Sequence, residues 1–405
     1  MNLHYAWVVA GTATLVVLGA VGLARFAFGV ILPGMAEDLG LSYQAQGLLG
    51  ASYFVGYLLI IAGMLWIAPK LGSRRLCALG LALVAIGLWG MSAVRDYALL
   101  CAAYLSVGLG SGGAFIGAMA LPSQWFQPSH RARAAGVATA GAGLGILVSG
   151  LVVPMVPSVS GLAAWQVTWF AFALVAALFA VLAFVLVRDR PGELSLAPYG
   201  MPVASGDRPG DVNGTLRHRW RFLVHLGVIY LIFALTALTY TTFIVTTMVD
   251  AFDIPRNSAG LLFAAVGGLS IFSGALFGAV SDRWGHRVGM GSALLVQALA
   301  YGVVAFDTSM VGLAISVMLF GISAWSMPSI VAAASGDFLG AEHAAAGFAI
   351  LTLMFSVGQV AGPAGAGMLA EQTGSFAASY AISAVLCVTA VALCVLLRPP
   401  RVVNL

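Results

Sequence analysis

Gly278-Ala-Val-Ser-Asp282-Arg283-Trp284-Gly285-His286-Arg287 is a charged, glycine-bearing turn set between two apolar runs, each long enough to cross a membrane. Shifting the chain by 213 positions lays Gly285 on Gly72, Arg283 on Lys70 and Arg287 on Arg74. The same shift lays Ala259, Gly260, Leu261 and Leu262 on Gln46, Gly47, Leu48 and Leu49. One offset that serves two segments marks an internal repeat. A charged hinge between paired membrane helices, present once per half-chain, is the pattern of a carrier whose two related halves hold the substrate site between them.

Composition names the solvent. Of the 405 residues 61% are hydrophobic and 8% charged, where a soluble globule carries about a quarter charged. The net charge of +4 comes from basic residues scattered among loops. They form no basic stripe and no aromatic-interleaved platform, so nucleic acid is excluded as a partner. Cys77, Cys101, Cys387 and Cys394 all lie in apolar runs with no CxxC spacing, and read as small core residues. No metal site and no cofactor are expected.

Apolar runs of about 20 residues span ~30 Å of hydrocarbon, and twelve can be counted between polar breaks, from 6–32 to 376–397. The first is expected to stay as a membrane helix and not to be cleaved, because it exceeds a signal core and Arg25 interrupts it. With the amino terminus in the cytoplasm, fifteen of the eighteen basic residues fall on the cytoplasmic side, Arg95 and Arg256 fall opposite, and Arg25 is inside a helix. The positive-inside bias thus places both termini in the cytoplasm. One long polar stretch, rich in Pro, Gly and charge, separates the sixth and seventh runs. The expected organisation is an all-α protein with a six-helix bundle at 1–187, a cytoplasmic linker at 188–220 and a second six-helix bundle at 221–405.

Glycines recur inside these runs, as at Gly108-Leu-Gly110-Ser-Gly112-Gly113 and Gly141-Ala-Gly143-Leu-Gly145. A phosphate-cradling loop needs its glycines between a strand and a helix start. Within bilayer-length helices they serve close backbone packing.

Arg25 is the leading substrate ligand. It lies about twenty residues into the first run, where an arginine costs at least ~2.5–3.5 kcal/mol unless it faces a cavity or a partner. All fourteen acidic residues fall in loops or at helix ends, so no carboxylate lies near it in the sequence. A guanidinium fork in that setting suits an anionic group such as a carboxylate. The alternative is a structural arginine that snorkels outward or bonds backbone carbonyls of residues 19–22. Weaker candidates for the substrate are Tyr240 and Thr241 in the polar belt of the seventh run, Trp325 in the tenth, Gln359 in the eleventh and Tyr53 in the second. A proton relay has no evident intramembrane carboxylate. Coupling can instead ride on a proton bound with the substrate or on a counter-transported anion. Asp282, Arg283 and Arg287, with Gly278 and Gly285, are assigned to gating, Asp282 engaging helix amino termini and neighbouring arginines as a latch on the cytoplasmic face.

Beyond these readings the chain resembles the major facilitator superfamily over essentially its whole length. The signature loop of that family, Gly-x-x-x-Asp-Arg/Lys-x-Gly-x-Arg/Lys, is matched by Gly278, Asp282, Arg283, Gly285 and Arg287. The first-half copy keeps Lys70, Gly72 and Arg74 but has Leu65 and Pro69 where the family has Gly and Asp. Tyr104 stands where the fourth helix usually has arginine. Trp7 with Arg25-Phe-Ala-Phe-Gly is similar to bacterial monocarboxylate and oxalate porters, while Ser52-Tyr53-Phe-Val-Gly56-Tyr57 is equally similar to YbfB-type carriers. Ser270 and Gly274 replace the Asp and Arg of the monocarboxylate porters' eighth helix.

The resemblance implies a monomeric secondary active transporter of the bacterial cytoplasmic (inner) membrane, a symporter or antiporter working by alternating access. The substrate it implies is a small organic anion such as a monocarboxylate, with a neutral metabolite or drug-like compound as the alternative. An enzyme would need a nucleophile and base, paired carboxylates or a metal cluster inside the helices, and the sequence offers none of these.

Overall fold

The computed structural model describes residues 4–159, 161–200, 220–339 and 341–397. Residues 201–219 of the expected linker, with the basic tail at Arg398 and Arg401, lie outside the described residues. Among the described residues twelve helices are long and apolar enough to cross a membrane. They run Tyr5–Leu39, Tyr43–Met64, Lys70–Ala93, Tyr97–Trp125, Arg133–Met155 and Ala164–Leu186 in the first half. Trp220–Asp250, Arg256–Trp284, His286–Phe306, Met310–Ser335, Gly347–Thr373 and Ala377–Leu396 make the second. Several overrun their apolar stretches, the first by seven residues beyond 32, because a helix continues past the hydrocarbon until a cap stops it. Gly40 stops the first in a left-handed conformation at φ 62°. Asp96 and Ser309 start the fourth and tenth by accepting the amides of Leu99 at 3.0 Å and Gly312 at 3.0 Å.

The chain folds into two compact units: 1–207 with 256–264, and 208–255 with 265–405. The first turns of the eighth span therefore group with the first unit. Burial follows the repeat. The first and seventh spans are the most enclosed, 83% and 72% buried, and the sixth and twelfth are among the least, at 28% and 33%. Exposed leucine, valine and phenylalanine on the latter two, such as Leu174, Phe184, Val388 and Val395, form surfaces suited to lipid tails.

Packing within each unit uses the glycines. A methyl on Gly56 would collide with the Leu105 carbonyl, and one on Gly108 with the Tyr53 carbonyl, so the second and fourth spans meet backbone to backbone. In the same way Gly145 of the fifth span lies against Gly22 of the first. Its repeat partner Gly358, 213 residues on, lies against Leu231 and Leu235 of the seventh. Arg95 and Arg256, the two arginines that the charge count sets apart, pair with adjacent carboxylates at the end of the first span. Arg95 meets Asp38 at 2.8 Å, with Trp165 donating to the same carboxylate at 2.8 Å, and Arg256 meets Glu37.

Candidate substrate site

Arg25 sits on a backbone irregularity. Residues Leu18–Phe26 form a π-helix inside the first span, between α-helical Tyr5–Val17 and Ala27–Leu39. A π turn bonds each amide five residues back and is found mostly as short insertions, often at functional sites. It is wider than an α turn and leaves carbonyls open to further donors. Those donors are present: Ser111 Oγ gives to the Ala20 carbonyl at 2.6 Å, Tyr53 OH approaches the same oxygen at 3.4 Å, and Tyr104 OH gives to the Ala24 carbonyl at 3.2 Å. Each of the three donors is fully buried.

The guanidinium of Arg25 is half-buried in an otherwise enclosed segment. Its central carbon lies 4.9 Å from the ring centres of both Phe26 and Phe54. The faces of aromatic rings stabilise a guanidinium without carrying a formal negative charge of their own. Of the sequence-derived candidates, Tyr53 packs on Phe54 with ring centres 5.2 Å apart, one ring removed from Arg25, with its hydroxyl turned to the helix backbone.

Tyr240, Thr241, Trp325 and Gln359 belong to the second unit. Tyr240 is wholly buried, stacked on Phe320 at 4.2 Å, with its hydroxyl 2.9 Å from Ser316 Oγ. Ser316 itself gives to the Ala300 carbonyl at 2.8 Å, so Tyr240 is the donor to Ser316. Thr241 Oγ1 bonds the Ala237 carbonyl at 3.0 Å, and Thr236, Thr239 and Thr247 bond their own helix in the same way. Gln359 is fully buried between Gly358 and Gly362, which pack on the seventh span.

Trp325 stands apart from these. The tenth span breaks after Ser323 and resumes at Ser326, with Trp325 half-exposed in the break. Its amide donates to Ser273 Oγ at 3.1 Å, while the Ser323 carbonyl accepts from Gln297 at 3.2 Å. Broken helices are where carriers of this kind place ligand contacts. The Ser270 hydroxyl gives to the Gly267 carbonyl, at 2.8 Å.

The gating residues divide. Gly285 adopts φ 88°, ψ 157°, and Arg283 lies 5.3 Å from the Trp284 ring. Asp282 is exposed and makes no ion pair among the described residues. The contacts at this turn are made instead by His286, with Ser281 Oγ at 2.8 Å and Asp337 at 2.7 Å. Sequence reasoning passed over His286, Asp337, Phe54 and Ser111. For Ser111 one signal existed: it lies seven residues from Tyr104, on the same face of the fourth span.

Twelve spans in two related halves, with a cation held at an irregular turn inside the first, define a polytopic carrier protein of the major facilitator type. The chain belongs to the family described as "Uncharacterised MFS-type transporter YbfB", whose model matches residues 17–395. It is a multi-pass membrane protein and not an enzyme. A protein of Agrobacterium vitis named "Putative tartrate transporter" is 28% identical, over 93% of this chain and 87% of that one. The "Hexuronate transporter" of Bacillus subtilis (strain 168) is 22% identical over 91% and 89%, and the "Quinolone resistance transporter" of Acinetobacter baumannii 25% over 89% and 87%. Among solved structures, a bacterial homologue of the human lysosomal transporter Spinster shares the fold, with a TM-score of 0.73 at 15% identity over 98% of this chain and 96% of that one.

Proposed function

We propose that this protein carries a small organic anion across the bacterial inner membrane by alternating access, with Arg25 as the ligand of the anion's carboxylate. The observation that carries the reading is a half-buried guanidinium inside a membrane span, among phenyl rings and remote in sequence from every acidic residue. Relatives named for tartrate and hexuronate, both carboxylates, support the same class. Trp325, at the broken tenth span, is the leading contact in the second unit, while Tyr240 and Thr241 act through packing. Both termini face the cytoplasm, in line with the distribution of basic residues.

The test is tartrate uptake into proteoliposomes holding the full-length protein. Arg25→Ala should reduce uptake at least about thirtyfold, since a hydrogen-bonded charge pair truncated on one side costs about 2–5 kcal/mol. Arg25→Lys should recover little, because an ammonium lacks the planar fork. Wild-type uptake by Arg25→Ala would remove the anion reading. It would favour the neutral or drug-like substrate to which the quinolone-resistance relative points.

A further inference from the structure

Three hydroxyls converge on the π turn from spans far away in sequence, and none of them is free for a substrate. Ser111 lies 91 residues from Ala20 and Tyr104 lies 80 residues from Ala24, yet both spend their proton on carbonyls of the turns that lead into Arg25. The π pattern pairs the amide of Arg25 with the carbonyl five residues back, that of Ala20. Ser111 therefore bonds the same oxygen that fixes the Arg25 backbone. On the opposite side Gly22 and Gly145 are in backbone contact, and Gly141 meets the Thr14 carbonyl, so the fifth span closes the space into which the segment could shift. Relaxation of the π insertion to a regular α-helix would turn Arg25 by roughly one residue step, about 100°, relative to the preceding turns.

We propose that Ser111 and Tyr104 are positioning residues for Arg25: by donating to the Ala20 and Ala24 carbonyls they hold the π turns that aim the guanidinium, and so set anion affinity without touching the anion. The inference rests on the reading of Arg25 as the anion's ligand. The Tyr104 phenol thereby supports the cation of the neighbouring span.

The experiment uses the full-length protein in proteoliposomes with tartrate as the probe. Tyr104→Phe and Ser111→Ala should each raise KM about tenfold, equivalent to about 1.4 kcal/mol, and leave Vmax within about twofold. Ser111→Thr keeps a hydroxyl and should stay near wild type. In an Arg25→Lys background Tyr104→Phe should have no further effect. A second, independent tenfold rise there would overturn the proposal, as would unchanged KM values or a loss confined to Vmax. A parallel readout needs no transported substrate. The rate at which phenylglyoxal labels Arg25, followed by mass spectrometry, should change at least about threefold in Tyr104→Phe and Ser111→Ala and not in Ser111→Thr, because the reagent reports how the guanidinium is presented. Equal labelling rates in all variants overturn the positioning role whether or not tartrate is carried. If Arg25→Ala abolishes uptake while Tyr104→Phe and Ser111→Ala behave as wild type, this inference fails and the anion reading stands. Wild-type uptake by Arg25→Ala fails the anion reading itself.

Discussion

The turns at 70–75 and 283–288 lie 213 residues apart and share a backbone but not their neighbours. Gly72 has φ 74°, ψ 168° and Gly285 has φ 88°, ψ 157°, a region open essentially to glycine alone. Around Gly72 the contacts come from the end of the sixth span and just beyond it: Arg74 Nε gives to the Phe184 carbonyl at 2.7 Å, and Asp189 accepts the Arg74 amide at 2.8 Å. Around Gly285 no side chain among the described residues takes the Arg287 amide, and space is open where a side chain would go. A second correspondence survives with its chemistry exchanged. Ser73 and Gln124 touch at 3.4 Å in the first unit, and the positions 213 residues later, His286 and Asp337, touch at 2.7 Å. The repeat has kept the turn and the contact between the loop and the fourth or tenth helix, while a neutral pair became a titratable one. Backbone geometry at a glycine hinge is set by local sterics and persists. The polar partners are set by whichever chain passes nearby, and those differ.

The sharpest way to break this comparison is to fill both glycines. Gly72→Ala should cost about 2–4 kcal/mol, the strain of a closed backbone region plus a displaced cap, because its methyl would lie 2.6 Å from an Asp189 carboxylate oxygen. Gly285→Ala should cost only the strain, about 1–3 kcal/mol. Thermal unfolding of the detergent-solubilised protein, read by tryptophan fluorescence, gives the order. Equal losses would mean that Asp189 contributes nothing to the first turn.

A finer comparison removes the partners themselves. Asp189→Ala should cost about 1 kcal/mol, the worth of a helix cap. Asp337→Ala should cost less, no more than about 0.5 kcal/mol, because its partner His286 carries charge only when protonated, and with the Asp337 side chain 67% exposed water and salt screen the contact. High salt should shrink the Asp337 effect and leave the Asp189 effect in place, in the same unfolding assay. The reverse salt response would show that the second hinge is the better-buried one.

The smallest change is expected at Asp282, the residue assigned to the latch. Exposed and outside any ion pair among the described residues, it should tolerate Asp282→Asn within about 0.5 kcal/mol of stability. Transport measured alongside decides its function. A fall in uptake at unchanged stability would place its partners in another conformation of the cycle, and unchanged uptake would leave the loop as a topology signal.

Arg25 was visible in the sequence because a single charge in a bilayer-length apolar run is costly whatever surrounds it. Trp325 and Tyr240 were visible only as polar or aromatic residues at a suitable depth, and the structure separates them. The tenth span breaks at Trp325, whereas Tyr240 is committed to Ser316. The π turn gave no such warning. Its residues, Leu18–Phe26, read as ordinary helix with small side chains.

The chain's composition and spacing by themselves determined a membrane protein of twelve spans in two related halves, with glycine hinges at Gly72 and Gly285. These are local matters, since hydrocarbon thickness fixes helix length and the extended positive-φ region of Gly72 and Gly285 is open essentially to glycine alone. Tertiary structure alone decided that the first span is wound as a π-helix around Arg25 while its repeat partner, Trp220–Asp250, is regular α-helix. That outcome depends on whether distant hydroxyls are present to take the carbonyls a wider turn exposes. Ser111 and Tyr104 supply them in the first unit, where the corresponding residues of the second are Ala324 and Val317, which have no hydroxyl to give.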